Sequence, residues 1–401
     1  MLKQKKIYFP IILFFLVVIT IILLSEIVIR VDLALGKKNR KIWIPDPYIG
    51  FVHAPNNDFV WENKGDQVFS IRHQTNSFGF LGKEISKDKG ENVIRIMMMG
   101  DSFTEALQIE RGKSFVDLIR QLLEKEEQFK GKEIEVINAG VSGYCPIIQY
   151  LLYKKVLHEF SPDLVVLQVW TNDVFEDNKI GAMSVLDDQG YPIKINRFFA
   201  KPYVEKDALF IKKRLKQIAR WKKVHDFIIN QSRFYEYMYT ILVKLNKNSQ
   251  LNKQMRERPE FNDRFQFFIT QSEHSLYNDE VFHKRTLSQS RHYIKGLKNI
   301  VENSGARFFL FYIPFEQQLK LEEYGIYSKQ YRQGPVNNNI NHFLKEVCID
   351  NKMNCLDLLD DFEANKNEGL YINWDGHLNE RGHALVGEKV VDYILEKELL
   401  K

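Results

Sequence analysis

The sequence predicts a doubly wound α/β domain built on a parallel sheet, and three observations carry that expectation. From residue 92 onward, short apolar runs alternate with segments of helical periodicity. The runs are almost continuously apolar, as strands covered on both faces must be. Turn-forming, polar motifs stand where those runs end, at the edge where open α/β sheets put their sites.

The elements follow in order. Val93 to Met99 (VIRIMMM) reads as a buried strand, and Ser114 to Leu123 carries apolar residues at helical spacing. Glu133 to Ile137 is a second strand. Pro146 to Phe160 is a helix with proline in its first turn, where a missing N–H costs least. Leu164 to Trp170 (LVVLQVW) is a third strand. A helix is expected over 285–303, a strand over 307–313, a helix over 338–349, a short strand near 355–359 and a last helix over 380–398. Upstream, 43–80 is rich in aromatic residues and turn formers such as Asp46-Pro47 and Asn56-Asn57, which predicts a small β layer.

The N-terminus differs. Ile7 to Leu24 is eighteen residues without a charge, preceded by Lys3, Lys5 and Lys6. As a helix it spans roughly 27 Å, close to the thickness of a bilayer core. The lysines favour the cytoplasmic side, which puts the rest of the chain beyond the membrane. No small-x-small cleavage site directly follows the run, so an uncleaved anchor is expected rather than a signal peptide. The layout is therefore a cytoplasmic tail (1–6), a transmembrane anchor (7–29) and a juxtamembrane β layer (30–91). Then come the first part of the α/β domain (92–177), a helical basic insertion (178–280) and the second part (281–401).

Composition bounds the function. The 401 residues are 44% hydrophobic and 27% charged, with a net charge of +5, and no nucleic-acid partner is expected from so small an excess. The charge is concentrated between Lys201 and Arg258, where 15 Lys or Arg stand against 5 Asp or Glu. That insertion reads as a solvated helical cap, or as a surface facing anionic headgroups or glycan. Of three cysteines, Cys348 and Cys355 are candidates for a disulfide on the oxidising side of a membrane. Cys145 reads as a small buried residue under the next helix. No cysteine spacing suggests a metal, and no metal or cofactor is expected.

Four motifs bear chemistry. Gly100-Asp101-Ser102 follows the first strand and places a serine at the sheet's carboxyl edge; Asp and Ser are also good helix caps. In Asn138-Ala139-Gly140-Val141-Ser142-Gly143, Gly143 offers an N–H with no side chain in the way, although the string taken alone reads first as a glycine-rich turn. Trp170-Thr171-Asn172-Asp173 offers the Asn172 amide as a second donor to an oxyanion, or simple turn chemistry. In Asn373-Trp374-Asp375-Gly376-His377-Leu378-Asn379, His377 can take a serine proton and Asp375 can orient its ring, with Asn379 as cap of the last helix. A metal site of Asp375, His377 and His383 lacks a fourth ligand at recognisable spacing.

These blocks, GDSFT, NAGVSGY, WTND and DGHLNERGH, resemble in order those of the SGNH (GDSL-like) hydrolases, over residues 92–175 and 285–398. TNSFGFLGKE is similar to a segment that precedes the serine in membrane-anchored bacterial members. The resemblance implies a flavodoxin-like three-layer α/β/α fold with a parallel sheet, here joined to a transmembrane helix and a helical insertion. It implies Ser102 as nucleophile, His377 as base, and Ser102, Gly143 and Asn172 as the oxyanion hole, with Gly100 and Asp101 supporting. Where many members have D-x-x-H, this chain has Trp374 in that slot and its carboxylate at Asp375, a D-x-H variant similar to that of polysaccharide O-acetylation proteins. The expected activity is hydrolysis of acyl esters, with acetyl on a glycan foremost. An O-acyltransferase using the same residues, and a glycan-binding or assembly protein without turnover, are the other readings.

Overall fold

The computed structural model describes residues 42–63, 69–182, 184–195, 280–319, 339–372 and 375–400, with parts of 16–27. The chain divides into two compact units, one of Met1–Asn39 and Lys201–Asn262, the other of Arg40–Ala200 and Asp263–Lys401. Almost all described residues belong to the second. Most of the anchor read at 7–29 lies outside them, as do the amphipathic segments read between 201 and 258. Among the described residues, no helix is long and apolar enough to cross a membrane.

Residues read as a small β layer form two antiparallel hairpins: β1 (Trp43–Asp46) with β2 (Gly50–His53), and β3 (Asp58–Asn63) with β4 (Phe69–Gln74). The Asp-Pro turn closes the first. Asp46 Oδ1 accepts from the Tyr48 and Ile49 N–H groups at 2.8 and 2.7 Å, satisfying the donors that a tight turn strands.

The α/β rhythm then runs β5 (Val93–Met99), α1 (Ser102–Glu105), α2 (Phe115–Leu123), β6 (Glu133–Asn138), α3 (Pro146–Lys155), β7 (Leu164–Val169) and α4 (Thr171–Gly181). It resumes with α5 (Glu280–Asn303), after the hairpin β8 (Ser184–Leu186) and β9 (Pro192–Ile195). After α5 come β10 (Arg307–Tyr312), α6 (Glu316–Leu319), α7 (Asn339–Asp350), β11 (Asn354–Asp357), α8 (Leu359–Ala364) and α9 (Glu380–Glu396). Two details depart from the sequence reading. The third strand's helix runs on past the expected boundary at 177, to Gly181. The insertion read as helical from 178 continues with a hairpin, because Asp187 to Gly190 makes a turn: Asp187 Oδ1 accepts from Gln189 and Tyr191 N–H. Residues 196–279 lie outside the described part.

The five strands of the main sheet pair in parallel, in spatial order β11-β10-β7-β5-β6. Numbered along the chain within the sheet, this is the order 2-1-3-4-5 of flavodoxin-like folds. Alternate residues of each strand face opposite layers. Met97 and Met99 pack with Val165, Leu167, Leu310 and the apolar faces of α3, α5 and α7. Ile96 and Met98 pack with Val166, Phe309, Phe311 and the apolar faces of α2, α8 and α9. Period-two alternation thus gives the inner strands β5, β7 and β10 two buried faces, and a three-layer α/β/α sandwich results. Near the opposite end of the sheet, Arg95 is buried, bonding Glu135 Oε2 at 2.6 Å and the Phe160 carbonyl at 2.5 Å. Cys348, near the end of α7, is joined by a disulfide to Cys355 on β11, with Cα atoms 6.2 Å apart.

One buried acid belongs to the scaffold. Cys145 at the N-cap of α3 makes no side-chain cap bond, and Asp177 of α4 supplies the acceptor instead, taking the Ile147 N–H at 2.8 Å. Cys145 is buried beside the same carboxylate, as is Ser290. Burial pushes Asp177 up to about 7, despite the stabilising N–H of Ile147 and the Ser290 and Cys145 donors. The folded state therefore holds a proton here that the unfolded chain releases near pH 4. Stability from this group is full below that pH and is lost as pH rises toward 7. Asp177→Asn keeps the acceptor for Ile147 and abolishes the titration. Thermal unfolding of the full chain in mild detergent should show the variant gaining on the wild type as pH goes from about 5 to about 8. Parallel curves would remove Asp177 from that role.

Candidate active site

Three strand ends and one loop meet at the carboxyl edge of the sheet. β5 and β7 are neighbours whose following segments leave toward opposite faces, which opens a crevice between them. Ser102 begins α1 directly after β5. Asp101 caps this short helix, its Oδ1 accepting from the Phe103 N–H at 2.9 Å. Gly100 is required by close approach: a Cβ there would lie 2.1 Å from Thr104 Oγ1 and 2.4 Å from Gln168 Oε1. Gln168 Oε1 also accepts from Thr104 Oγ1 at 2.9 Å and from the Asp101 N–H at 3.2 Å, tying α1 to the carboxyl end of β7.

His377 reaches Ser102 from 275 residues away. His377 sits in the loop before α9, held by reciprocal pairing of Tyr371 with Leu378 and by the Ile372 N–H donating to the His377 carbonyl at 2.8 Å. Asn379 caps α9, accepting from Arg381 and Gly382 N–H, while its own amide donates to the Tyr371 carbonyl at 3.2 Å. His377 Nε2 is 2.7 Å from Ser102 Oγ, and Nδ1 is 2.5 Å from Asp375 Oδ1. A carboxylate can only accept, so Nδ1 carries the proton and Nε2 faces the serine as acceptor. The Phe103 ring lies 5.0 Å from the imidazole and 5.0 Å from the Trp170 ring, walling one side. His377 and Asp375 are 23% and 24% exposed, so both are open to solvent. The D-x-H spacing therefore delivers a carboxylate to the imidazole. Asn373 and Trp374 lie outside the described residues.

Gly143 lies on the loop after β6. The Tyr144 N–H donates to the Val141 carbonyl at 3.0 Å, closing a turn in which Gly143 takes φ +70°, a conformation that favours glycine. Among the described residues, neither the Gly143 nor the Ser102 N–H makes a hydrogen bond. Both are donors left open near the serine hydroxyl's end of the sheet. Asn138 ties this loop to α1, donating to the Thr104 carbonyl at 2.7 Å and accepting from the Gly140 N–H at 3.0 Å. Asn172 is the second residue of α4. Its amide, expected as the third donor, lies outside the described side chains.

The electrostatics are dominated by buried acids. Burial pushes Asp101 up to about 6, against the pull of the Phe103 N–H and of nearby His377. Asp173 is raised well above the ordinary carboxylate range by burial and then by the charge of Asp101, although its Oδ2 accepts from the Trp170 N–H at 2.8 Å. Two coupled buried carboxylates resist carrying two charges, which adds to the upward shift of Asp173. His383 is a separate, structural group. Its buried ring stacks on Phe115 at 5.3 Å, its Nδ1 accepts the Phe115 N–H at 3.1 Å, and burial pushes it down to about 3. It stays neutral and its Nδ1 is already used.

Sequence reasoning missed Glu105, His53, Trp43 and Gln168, and gave Asn138, though it opens a quoted motif, no role of its own. The string Ser102-Phe103-Thr104-Glu105 has the spacing of a capping box, the one available signal for Glu105, yet the cap is Asp101 and Glu105 turns elsewhere.

No protein-family model matches the chain, and no curated protein matches it. Among solved structures, the chain is similar to TesA at 14% identity and a TM-score of 0.38, covering 76% of this chain and 99% of that one. It is similar to the psychrotrophic esterase EstA from Pseudoalteromonas sp. at 12% identity and a TM-score of 0.36, covering 77% and 99%. It is also similar to Axe2, an acetylxylan esterase from Geobacillus stearothermophilus, at 12% identity and a TM-score of 0.38, covering 75% and 94%. At such scores the likeness decides neither fold nor activity.

Proposed function

We propose that this chain is a serine hydrolase of the SGNH type that cleaves acyl esters, held by an N-terminal anchor with its α/β domain on the extracytoplasmic side. One observation carries the reading: a single hydrogen-bonded path runs from the Asp375 carboxylate through His377 to the Ser102 hydroxyl. The four ordered sequence blocks support the family, and the lysines before Ile7 to Leu24 support the anchor and its direction. A Cys348–Cys355 disulfide fits an oxidising compartment.

The steps follow from the roles. Ser102 Oγ attacks the ester carbonyl as its proton passes to His377 Nε2. Asp375 holds the ring in the tautomer that makes Nε2 basic and steadies the imidazolium. The negative oxygen of the tetrahedral intermediate is received by the Ser102 and Gly143 N–H groups, with the Asn172 amide as third donor. His377 returns the proton to the leaving alcohol, and an acyl-Ser102 ester remains. Water, deprotonated by His377, then attacks this ester, releasing the acid and restoring the serine. No metal takes part in these steps. Acetyl on an envelope or secreted polysaccharide is the substrate class proposed, on the sequence blocks and the compartment. A sugar hydroxyl in place of water would make the same acyl-enzyme a transferase.

Two substitutions test this reading in the detergent-held full chain. Ser102→Ala should lower hydrolysis of p-nitrophenyl acetate by about a thousandfold or more, and Asp375→Asn by on the order of a hundredfold to ten-thousandfold, mainly in kcat. Turnover by Ser102→Ala at the wild-type rate would overturn the proposal. Acetylated glycan donors offered with unacetylated acceptors then read out free acetate against acetyl transfer.

A further inference from the structure

The loop that carries Gly143 is held by one buried carboxylate. Glu105 is the last residue of α1, the helix whose first residue is Ser102. Its side chain is wholly buried, and both oxygens are used. Oε2 accepts from the Ser142 N–H at 2.9 Å and from the Ser142 hydroxyl. Oε1 lies 2.5 Å from His53 Nε2 and accepts from Trp43 Nε1 at 3.1 Å. Ser142 immediately precedes Gly143 in the turn closed by Val141 and Tyr144. Trp43 and His53 face each other across the β1–β2 hairpin, with their rings stacked at 6.4 Å.

We propose that Glu105 is a positioning residue for the oxyanion donor Gly143, and that through it the N-terminal hairpin Trp43–His53 is part of the catalytic machinery. This rests on the roles proposed above for Ser102 and Gly143. A carboxylate removed from water persists only where donors surround it, so its position is set by all its partners at once. Here one set of donors comes from the hairpin and the other from the Gly143 loop. Glu105 joins them at the far end of the same short helix that presents the nucleophile. The distance between the Ser102 hydroxyl and the Gly143 N–H is thereby fixed by a rigid unit rather than by a free loop. Such donors act by being in place before charge develops, so a looser loop lowers the rate more than it weakens substrate binding.

Glu105→Gln tests this. The amide has one acceptor oxygen and one NH2 group that only donates, so its NH2 must face either the Ser142 N–H or the hairpin donors. With the full chain in detergent and p-nitrophenyl acetate, kcat should fall about tenfold to a hundredfold with KM within about twofold. Ser142→Ala and Trp43→Phe each delete one donor and leave the carboxylate buried. Each should lower kcat severalfold, and Glu105→Gln should cost less in the Ser142→Ala background than alone. Circular dichroism and thermal unfolding identify variants that fold. If Glu105→Gln does not fold, the two milder variants decide. Folded variants that keep kcat within about twofold, while Ser102→Ala is inactive, overturn the positioning role and leave the functional reading intact. A wild-type chain without Ser102-dependent turnover overturns that reading and this inference with it.

Discussion

Parallel pairing of β5 with β7 and β6 is the constraint on which the rest depends. Parallel neighbours need crossovers, and each crossover returns the chain to the same end of the sheet. The segments after β5, β6 and β7 must therefore emerge side by side. Because β5 is flanked by both others, Gly100 to Ser102 leaves the sheet between the turn at Val141 to Tyr144 and the start of α4. The last helix, α9, lies on the same face as α2, so the loop before it is delivered over Ser102. Placement of the serine and the imidazole is a consequence of winding rather than of any local preference.

The site is dense in buried polar groups, each held by the element beside it. Gln168 sits inside β7, where a strand residue would ordinarily be apolar, and receives both Thr104 and the Asp101 N–H. Asp101 spends one oxygen on the Phe103 N–H, and Asp173 spends one on the Trp170 N–H. Buried carboxyl groups in such number are costly, and their raised pKa values express that cost as proton retention. A rigid frame of this kind keeps short strand-end turns in one geometry, which a hydroxyl nucleophile and its donors need.

The carboxylate that serves His377 comes from two residues away rather than three. The turn makes this workable. Asp375 and Gly376 both donate their N–H groups to the Ile372 carbonyl at 3.2 Å, and Gly376 takes φ +80°. The backbone doubles back tightly, so a side chain at 375 reaches the Nδ1 side of the ring while Nε2 points at Ser102. The D-x-H spacing thus brings a carboxylate to Nδ1.

The amino-acid order alone determined the alternation of strands and helices and the positions of the motifs at their ends. It did so because burial on two faces, helical periodicity and turn chemistry are all local signals. VIRIMMM, LVVLQVW and the glycine-bearing turns carry them plainly, and so does Asn379 as a cap. Tertiary structure decided which groups touch. Glu105 finds its partners 37, 52 and 62 residues away, and Asp177 caps a helix 30 residues upstream. A hairpin forms at 184–195, within the insertion that the sequence reads as largely helical. A buried charge can be satisfied by any donor the fold brings to it, so sequence spacing cannot name that donor. Only the packing of crossovers against the sheet does.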